Sequence, residues 1–359
     1  MNDWKFFKGL CKESPAEDPL KDLPAPPPWR DFSIWHDRRG RVLRLGKKEI
    51  GMINTALYLR RPLLVTGPAG CGKSSIAYAV ATELRLGPVL WWPINSRSAI
   101  REGLYDYDAV ARLRDANLEH LRMRNIAKLP KEGESRKEDN RELSEDSDDK
   151  DVSSEMNSLS YEKEAVPNDI GRYIRLGPLG TALLPGKRPK VLLIDEIDKA
   201  DFDLPNDLLH VLEEGTYEIR ELTRIARQRE SVNVLTSTDE QVRIEKGKVQ
   251  CDAFPFIVLS SNGERDLPPA FLRRCLRLDL KFPGKEKLWE IVKTHLDAAS
   301  SKSDEMKELI STFMKEIEKP SQLATDQLLN AAFMVLHGRL PSGKERKDII
   351  KELFRDLGR

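Results

Sequence analysis

The run Gly67–Ser74 has the residue types and spacing needed to hold a phosphate group, because it fits the pattern G-x-x-x-x-G-K-[ST] at every fixed position. Its glycines allow the backbone to turn sharply and to bring N–H groups against phosphate oxygens. Lys73 can reach the outer phosphates of a nucleotide, and Ser74 can ligate Mg²⁺. The alternative, a chance glycine-rich turn, is disfavoured by the apolar run Leu63–Val65 before it and by the helical periodicity that begins at Lys73.

A second group of reactive side chains, Asp195 and Glu196, directly follows the apolar run Val191–Ile194. Such a run predicts a strand buried on both faces, and the carboxyl end of that strand opens into the ligand crevice of a parallel sheet. We expect Asp195 to hold Mg²⁺ beside Ser74, directly or through water, and Glu196 to orient and polarise the attacking water. The alternative is a strand that ends in two solvated acids, and the phosphate-binding run upstream argues against it.

Three further polar residues are candidates for the same chemistry. Asn262 follows the apolar run Phe256–Leu259, where its amide can hydrogen-bond a water or the terminal phosphate, although a turn-forming asparagine has the same signature. Arg273 and Arg274 have no obvious carboxylate partner in their own segment. An arginine donated across a subunit boundary stabilises transition-state charge, and a surface arginine pair is the alternative that the sequence leaves open.

A parallel sheet with helices around it is needed to position these residues. Apolar runs of strand type occur near 63–65, 89–92, 191–194, 256–259 and 276–282. Helical periodicity appears near 47–59 and 204–213, and beyond Gly284 it predicts helices near 285–298, 303–318, 321–337 and 343–357. The predicted fold class is α/β, followed by a small all-helical domain.

The composition divides the chain into three predicted parts. Residues 1–34 form a flexible, Pro-rich N-terminal tail, residues 35–283 the nucleotide-binding domain, and residues 284–359 the helical domain. Acidic residues dominate 130–166, and this stretch has too few large apolar side chains to offset the entropy of folding, so it is predicted to be a disordered insertion.

Two hairpins are also predicted from turn residues flanked by alternating patterns. One occupies about 232–250 and turns at Lys246–Gly247, and the other turns near Gly40. The role of the acidic insertion is open between a regulatory surface and a solvated spacer, and charge runs are more often solvent-facing.

Charge and composition argue against several classes of protein. The formal net charge is +1, from 60 Lys and Arg against 59 Asp and Glu, so bulk charge gives no support for nucleic-acid binding. No run of 18 or more apolar residues is present, so no membrane segment is expected. The four cysteines lack metal-ligand spacing, which is typical of reduced thiols in a cytoplasmic protein.

Taken together, the motifs resemble those of AAA+ ATPases, and specifically of the MoxR-like branch, from about Trp35 to the C-terminus. Gly67–Ser74 resembles the Walker A motif, Leu192–Glu196 the Walker B motif, and Ser260–Asn262 sensor 1. The stretch Leu267–Cys275 resembles the arginine-finger box. That branch carries insertions after its second strand and before sensor 1, and here they correspond to about 97–170 and 232–250.

The resemblance implies a five-stranded parallel sheet in the order 5-1-4-3-2, a helical lid, and Mg²⁺ and ATP bound between subunits of a ring that is usually a hexamer. It implies that Glu196 is the catalytic base, Asn262 the sensor 1 residue and Arg274 the finger, with Arg273 as the other candidate. The residues implied to bind ATP are Gly67, Pro68, Ala69, Gly70, Cys71, Gly72, Lys73, Ser74, Ser75 and Asp195, of which Ser74 and Asp195 also ligate the metal.

Two features depart from the family pattern. The lid of this family usually carries a sensor 2 arginine at the start of its third helix, where this sequence has Glu318–Gln322. Lys319 is the available substitute, but it precedes Pro320, so the sensor 2 assignment is open. The acidic insertion at 130–166 is also longer than the family leads us to expect.

Three functions remain in competition. The leading hypothesis is a ring-shaped ATPase that remodels or activates a protein partner, as the chaperone-like members of the family do. The second is a slow ATP-dependent switch or scaffold that works by oligomerising, as in bacterial signalling or defence systems. The third is a DNA-handling ATPase, which the near-neutral charge and the lack of a recognisable helix-turn-helix or zinc module disfavour. The sequence does not identify the client.

Overall fold

A computed structural model describes residues 21, 23–31, 43–126, 169–296, 303–317, 323–338 and 343–355. Several sequence predictions lie outside these residues. They are the hairpin near Gly40, the acidic insertion at 130–166, the sensor 2 candidate Lys319, and most of the N-terminal tail.

The described residues form twelve helices and eleven strands besides two short 3₁₀ turns at Ile170–Tyr173 and Ile197–Lys199. In chain order the elements are α1 Lys47–Leu59, β1 Leu63–Thr66, α2 Ser75–Glu83, β2 Val89–Pro93, α3 Ile100–Leu104, β3 Tyr105–Tyr107, α4 Ala109–Ile126, β4 Ile174–Leu176, α5 Pro178–Ala182, β5 Val191–Asp195, α6 Asp203–Glu214, β6 Thr216–Glu218, α7 Arg220–Ile225, β7 Ser231–Leu235, β8 Gln241–Glu245, β9 Lys248–Gln250, β10 Phe256–Ser261, α8 Pro269–Leu272, β11 Leu276–Asp279, α9 Lys285–Leu296, α10 Ser303–Ile317, α11 Thr325–Leu336 and α12 Lys344–Leu353.

The central sheet has five parallel strands in the order β11-β1-β10-β5-β2. This order confirms the predicted α/β fold and the arrangement 5-1-4-3-2. Alternation along β5 directs Leu192 and Ile194 into the core on one face of the sheet, and Val191 and Leu193 into the core on the other. Because both faces are covered by apolar side chains, the strands read as continuous apolar runs rather than alternating ones.

A second sheet of six strands, in the order β3-β4-β7-β8-β9-β6, was not predicted. It corrects the hairpin expected at 232–250, which contains three strands and two turns. The predicted turn at Lys246–Gly247 joins β8 to β9, and Gly247 has the positive φ of 69° that favours glycine. The other turn joins β7 to β8, where the Thr236 amide donates to the Glu240 carbonyl at 2.8 Å. Its residues carry no Asn-Gly or Asp-Gly signal, so the sequence pattern did not reveal it.

Four C-terminal helices, α9 to α12, pack around a separate apolar core. Their bounds fall within a few residues of the four predicted ranges. Leu288 of α9, Phe313 of α10 and Leu328 of α11 are all fully buried in this core. No helix or strand lies among the described residues between the last strand of the central sheet, β11, which ends at Asp279, and helix α9, which begins at Lys285.

Within the stretch predicted to be a flexible, Pro-rich tail, Trp29 contacts this helical core. The Trp29 indole Nε1 donates to Asn330 Oδ1 at 3.0 Å, and its ring meets the rings of His295 and Phe333 edge-on at 6.2 and 6.0 Å. A single large aromatic side chain can fix an otherwise irregular segment, because it buries much apolar area and still pairs its one donor. No helix in the described ranges has both the length and the apolar character required to cross a membrane.

Candidate nucleotide-binding site

The loop between β1 and α2 makes the sharp turns that its glycines predict. Gly67, Gly70 and Gly72 have φ values of 145°, 73° and 92°, in the region that residues with side chains rarely adopt. A Cβ atom at Gly67 would lie 2.5 Å from the Leu280 carbonyl oxygen, and one at Gly70 would lie 2.6 Å from the Thr325 amide nitrogen. The loop is therefore confined between the end of the central sheet and the start of α11.

Helix α2 begins at Ser75, rather than at Lys73 as predicted. The Ser75 and Ile76 amides bond to the carbonyls of Gly72 and Lys73, so the chain first forms tighter i to i+3 turns. The Lys73 ammonium is buried and donates to the carbonyls of Gly67 and Pro68 at 2.8 and 2.9 Å. Lys73 is thus folded back over the loop.

Asp195 joins three parts of the sequence at the carboxyl edge of the sheet. Its Oδ1 accepts hydrogen bonds from Ser74 Oγ at 2.7 Å and from Ser260 Oγ at 2.5 Å. Its Oδ2 accepts from the Trp91 indole at 3.3 Å. The parallel pairing of β2, β5 and β10 brings these residues together. Hydroxyl and carboxylate oxygens are the ligands that Mg²⁺ prefers, so Ser74 and Asp195 fit that ion.

Glu196 is held in a left-handed backbone conformation, with φ 61° and ψ 49°. This conformation is uncommon for a residue with a side chain, and its amide donates to Ser260 Oγ at 2.8 Å. The carboxylate has two partners: Lys199 Nζ donates to Oε2 at 2.7 Å, and Asn262 Nδ2 donates to Oε1 at a long 3.4 Å. The structure therefore places the predicted base and the predicted sensor 1 residue side by side.

A buried carboxylate fixes the loop that carries Asn262. Asp198 is almost fully buried, and its Oδ2 accepts hydrogen bonds from the amides of Asn262 and Glu264, both at 2.9 Å. The other oxygen, Oδ1, has no hydrogen-bond partner among the residues described. Asp198 thus ties the turn after β5 to the turn after β10, which keeps Asn262 beside Glu196.

These residues lie at one end of a cavity of about 800 Å³. The polar end comprises the loop residues 69–75 together with Asp195, Glu196 and Asn262. The apolar side chains that line it include Leu43, Leu45, Phe282, Ile291 and Leu329, and basic side chains such as Lys48 and Lys287 line it as well. A cavity with a glycine-rich loop at one end and a mixed apolar and basic lining elsewhere suits a nucleotide. The N-terminal segment, the α/β part and the C-terminal helices all contribute to its lining.

The two candidate finger arginines do not line this cavity. Arg274 forms an ion pair with Glu213 of α6 and donates to the Ala270 carbonyl at 3.1 Å, whereas the Arg273 side chain is exposed. The bond from Arg274 lowers the pKa of Glu213 below its ordinary value. Arg61 donates to the backbone carbonyls of both arginines, which fixes their backbone. Neither arginine is brought together with the loop of its own chain.

Four side chains that hydrogen-bond to Asp195, Glu196 or Asn262 had not been given an individual role from the sequence. They are Trp91, Asp198, Lys199 and Ser260. Ser260 had the clearest available signal, because a serine at the end of a fully apolar run must find a hydrogen-bond partner when it is buried. The other three depend on turn geometry and strand pairing, which local spacing does not reveal.

Lys199 provides a first test of the geometry around Glu196. Its hydrogen bond to Glu196 raises the pKa of Lys199 above its ordinary value. A bound cation lowers the basicity of a carboxylate and restrains its rotation. If the chain hydrolyses ATP as its resemblance implies, we expect Lys199→Met to raise the turnover by roughly threefold, measured as steady-state phosphate release.

The effect of Lys199→Met should vanish in a Glu196→Gln background, because a double-mutant cycle isolates the pairwise term. A turnover lowered tenfold in the single variant would show that Lys199 supports catalysis rather than restraining the base.

Comparison with solved structures finds 109 matching chains, whereas no curated protein matches the chain. The chain is similar to the crystal structure of NtrX from Brucella abortus in complex with ADP, at 12% sequence identity and a TM-score of 0.36. That match covers 90% of this chain and 58% of the NtrX chain. A likeness at this level carries no argument about function.

The family comparison is much more extensive. Residues 61–317 match the family described as AAA domain (Cdc48 subfamily). The match covers well over half of the chain and includes the phosphate-binding loop, the Asp195–Glu196 pair and the first C-terminal helices. The chain therefore belongs to the AAA domain (Cdc48 subfamily) family and is an ATPase.

Proposed function

We propose that the protein hydrolyses Mg²⁺-ATP in a ring-shaped oligomer, most simply a hexamer, and uses the cycle to remodel or activate a protein partner, as a MoxR-like ATPase. The observation that carries the proposal is the convergence of Ser74, Asp195, Glu196 and Asn262 at one end of a cavity that the C-terminal helices also line. A site shared between two parts of the chain can couple nucleotide state to their relative position.

The roles follow from the positions of the side chains. The amides of the loop and the Lys73 ammonium bind the phosphates, and Lys73 exchanges its loop carbonyls for phosphate oxygens. Ser74 and Asp195 would hold Mg²⁺, which would supply positive charge next to the phosphates. Glu196 takes up the proton of the attacking water, and Asn262 orients that water.

The C-terminal helices are proposed to act as a lid. Thr325, at the start of α11, lies directly against Gly70, so a change in the loop on nucleotide binding is passed to α11. This assignment makes 35–283 the nucleotide-binding domain and 284–359 the lid domain. Trp29 connects the N-terminal segment to the same helices.

The MoxR-like assignment is supported by where the extra material lies. Two insertions, one after β2 and one before β10, contribute strands to the same six-stranded sheet. The central sheet is complete without them, so they do not serve nucleotide binding directly. The surface of the six-stranded sheet belongs to the same chain as the nucleotide site, so it is suited to binding a client protein.

A slow ATP-dependent switch is the second candidate, and two ion pairs favour it. Glu196 is paired with Lys199, and Arg274 is paired with Glu213, so both groups proposed for turnover are engaged by partners in their own chain. A protein in which these pairs persist in the oligomer would assemble with ATP and hydrolyse it slowly.

The proposal is tested by measuring ATPase activity per chain against protein concentration, with the oligomeric mass followed by sedimentation. We expect activity to rise as the oligomer forms, and Lys73→Ala, the control, to abolish ATP binding by removing the charge at the outer phosphates. Assembly with negligible turnover favours the switch. Activity that is constant down to a proven monomer contradicts the shared site.

A further inference from the structure

Helix α4 presents apolar side chains to solvent along one side. Val110, Leu113, Leu118 and Leu121 are 79%, 66%, 48% and 55% exposed. In a helix of 3.6 residues per turn they lie within an arc of about 140° and along a length of about 16 Å. We call these four residues the α4 apolar face. Single exposed apolar residues are common, but four on one side of one helix form a patch that signals an interaction site.

The first two turns of α4 make polar contacts, and one of them, from Tyr173 to Asp115, reaches another element on the side opposite the apolar face. Asp108 Oδ1 accepts from the Ala111 amide at 2.7 Å at the start of the helix. Arg112 donates to the Tyr107 hydroxyl at 2.9 Å, and the Tyr173 hydroxyl donates to Asp115 Oδ2 at 3.0 Å. A helix that serves only the fold buries its apolar side, whereas none of the residues that the structure describes covers this side of α4.

Basic residues share the exposed side with the apolar face. Arg114 is 72% exposed despite a 3.5 Å contact with Asp115, and Arg124 and His120 are also exposed. At helical spacing Asp115 and Glu119 lie on the other side of the helix. The same face on a second copy of the chain would bring like charges together, which disfavours self-pairing. Acidic groups are the complement that these positions favour.

We propose that the α4 apolar face binds an amphipathic helix of a partner protein, one with aliphatic residues at helical spacing and with Asp or Glu on both flanks. Packing of the apolar face of one helix against an apolar surface of its partner is a recurrent mode of helix recognition. Carboxylates on the flanks of the bound helix would pair with the guanidinium groups beside the α4 apolar face. A lipid surface fits less well, because α4 shares arginines and leucines with interfacial helices but has no aromatic anchor in its sequence.

This inference names the class of partner for the remodelling activity, and in that respect it rests on the proposed function. The surface itself is independent of the nucleotide site, because none of the four apolar residues lines the cavity. Binding is therefore measured without nucleotide, so that a failed interaction and a failed ATPase cycle are distinguished.

The test uses a fluorescent 18-residue peptide with leucines at i, i+3, i+4 and i+7 and glutamates on the flanks, titrated with the full chain by anisotropy. We expect Leu113→Glu combined with Leu121→Glu to weaken its affinity at least tenfold, because the change removes buried apolar area and adds like charge. Tyr58→Glu, at an 85% exposed residue on α1, is the matched control and should leave the affinity unchanged. The basal ATPase activity should be the same in all three proteins.

Four results would overturn the proposal. The first is equal weakening by Tyr58→Glu, and the second is equally tight binding of a peptide with lysines in place of the glutamates. The third is binding of phosphatidylglycerol vesicles that the double variant abolishes while the peptide does not bind, which assigns the face to a membrane. The fourth is a loss of oligomeric mass in the double variant at unchanged peptide affinity, which assigns it to a contact between copies.

Discussion

Glu196→Gln is expected to bind ATP tightly and to hydrolyse it at least about 100-fold more slowly than the unaltered protein. The amide keeps the size of the side chain and its place beside Asn262, but it cannot accept the proton of the attacking water. Binding should persist because Lys73, which is proposed to bind the phosphates, hydrogen-bonds to the loop carbonyls of Gly67 and Pro68 and not to Glu196. The measurement is single-turnover hydrolysis beside equilibrium binding of a fluorescent ATP analogue.

Glu214→Gln is the matched control for this prediction, since Glu214 is an exposed glutamate on α6 that does not line the cavity. This substitution should leave both the rate of ATP hydrolysis and the affinity for the ATP analogue unchanged. Turnover that survives in Glu196→Gln would assign the base to another residue, and loss of binding would mean that the substitution disturbs the strained turn at Glu196 instead.

The second large effect is expected at the proposed finger. Arg274→Ala should lower turnover by roughly 100-fold or more, because the arginine stabilises charge in the transition state, and should alter ATP affinity much less. The residue lies outside the cavity of its own chain, so the loss must arise in a neighbouring site. Steady-state kinetics that separate kcat from KM provide the measurement.

Two further variants separate this role from the ion pair with Glu213. Glu213→Gln removes the ion pair but keeps the arginine, so this variant should retain its turnover. If release of Arg274 limits the cycle, the turnover of this variant should be higher than that of the unaltered protein. Arg273→Ala should have a smaller effect than Arg274→Ala. The reverse order would identify Arg273, the exposed arginine, as the finger.

The central sheet and the polar end of the cavity were predictable because their signals are local. Strands buried on both faces give continuous apolar runs, and the carboxyl ends of parallel strands meet at one edge. Val191–Ile194 therefore indicated both a strand and the location of Asp195. The order of the strands came from the resemblance to a family and not from the runs themselves.

The second sheet as a whole was not predictable, because four of its six strands have only three residues and three of its five pairings join distant parts of the chain. Tyr105–Tyr107 pairs with Ile174–Leu176, and strands of three residues are too short for alternation to be recognised. The pairing of Lys199 with Glu196 was hidden for a different reason. It depends on the left-handed turn at Glu196, and a glutamate gives no warning of such a turn.

The restraints on the two catalytic candidates suggest how the ATPase is regulated. Glu196 is held by Lys199 and Arg274 by Glu213, and both pairs are partly solvent-exposed. Exposed pairs contribute little to stability, so a neighbouring subunit or a nucleotide can replace them at small cost. The variants at Lys199 and Glu213 measure the two restraints separately.

The central claim is that one chain provides the loop and base of each site and its neighbour provides the arginine. The most direct measurement is the ATPase activity of an equimolar mixture of Glu196→Gln and Arg274→Ala chains. In randomly mixed rings about a quarter of the sites combine an intact base with an intact arginine, so activity should exceed that of either variant at least tenfold. Activity equal to the average of the two separate variants, in rings proven to be mixed, would contradict the shared site.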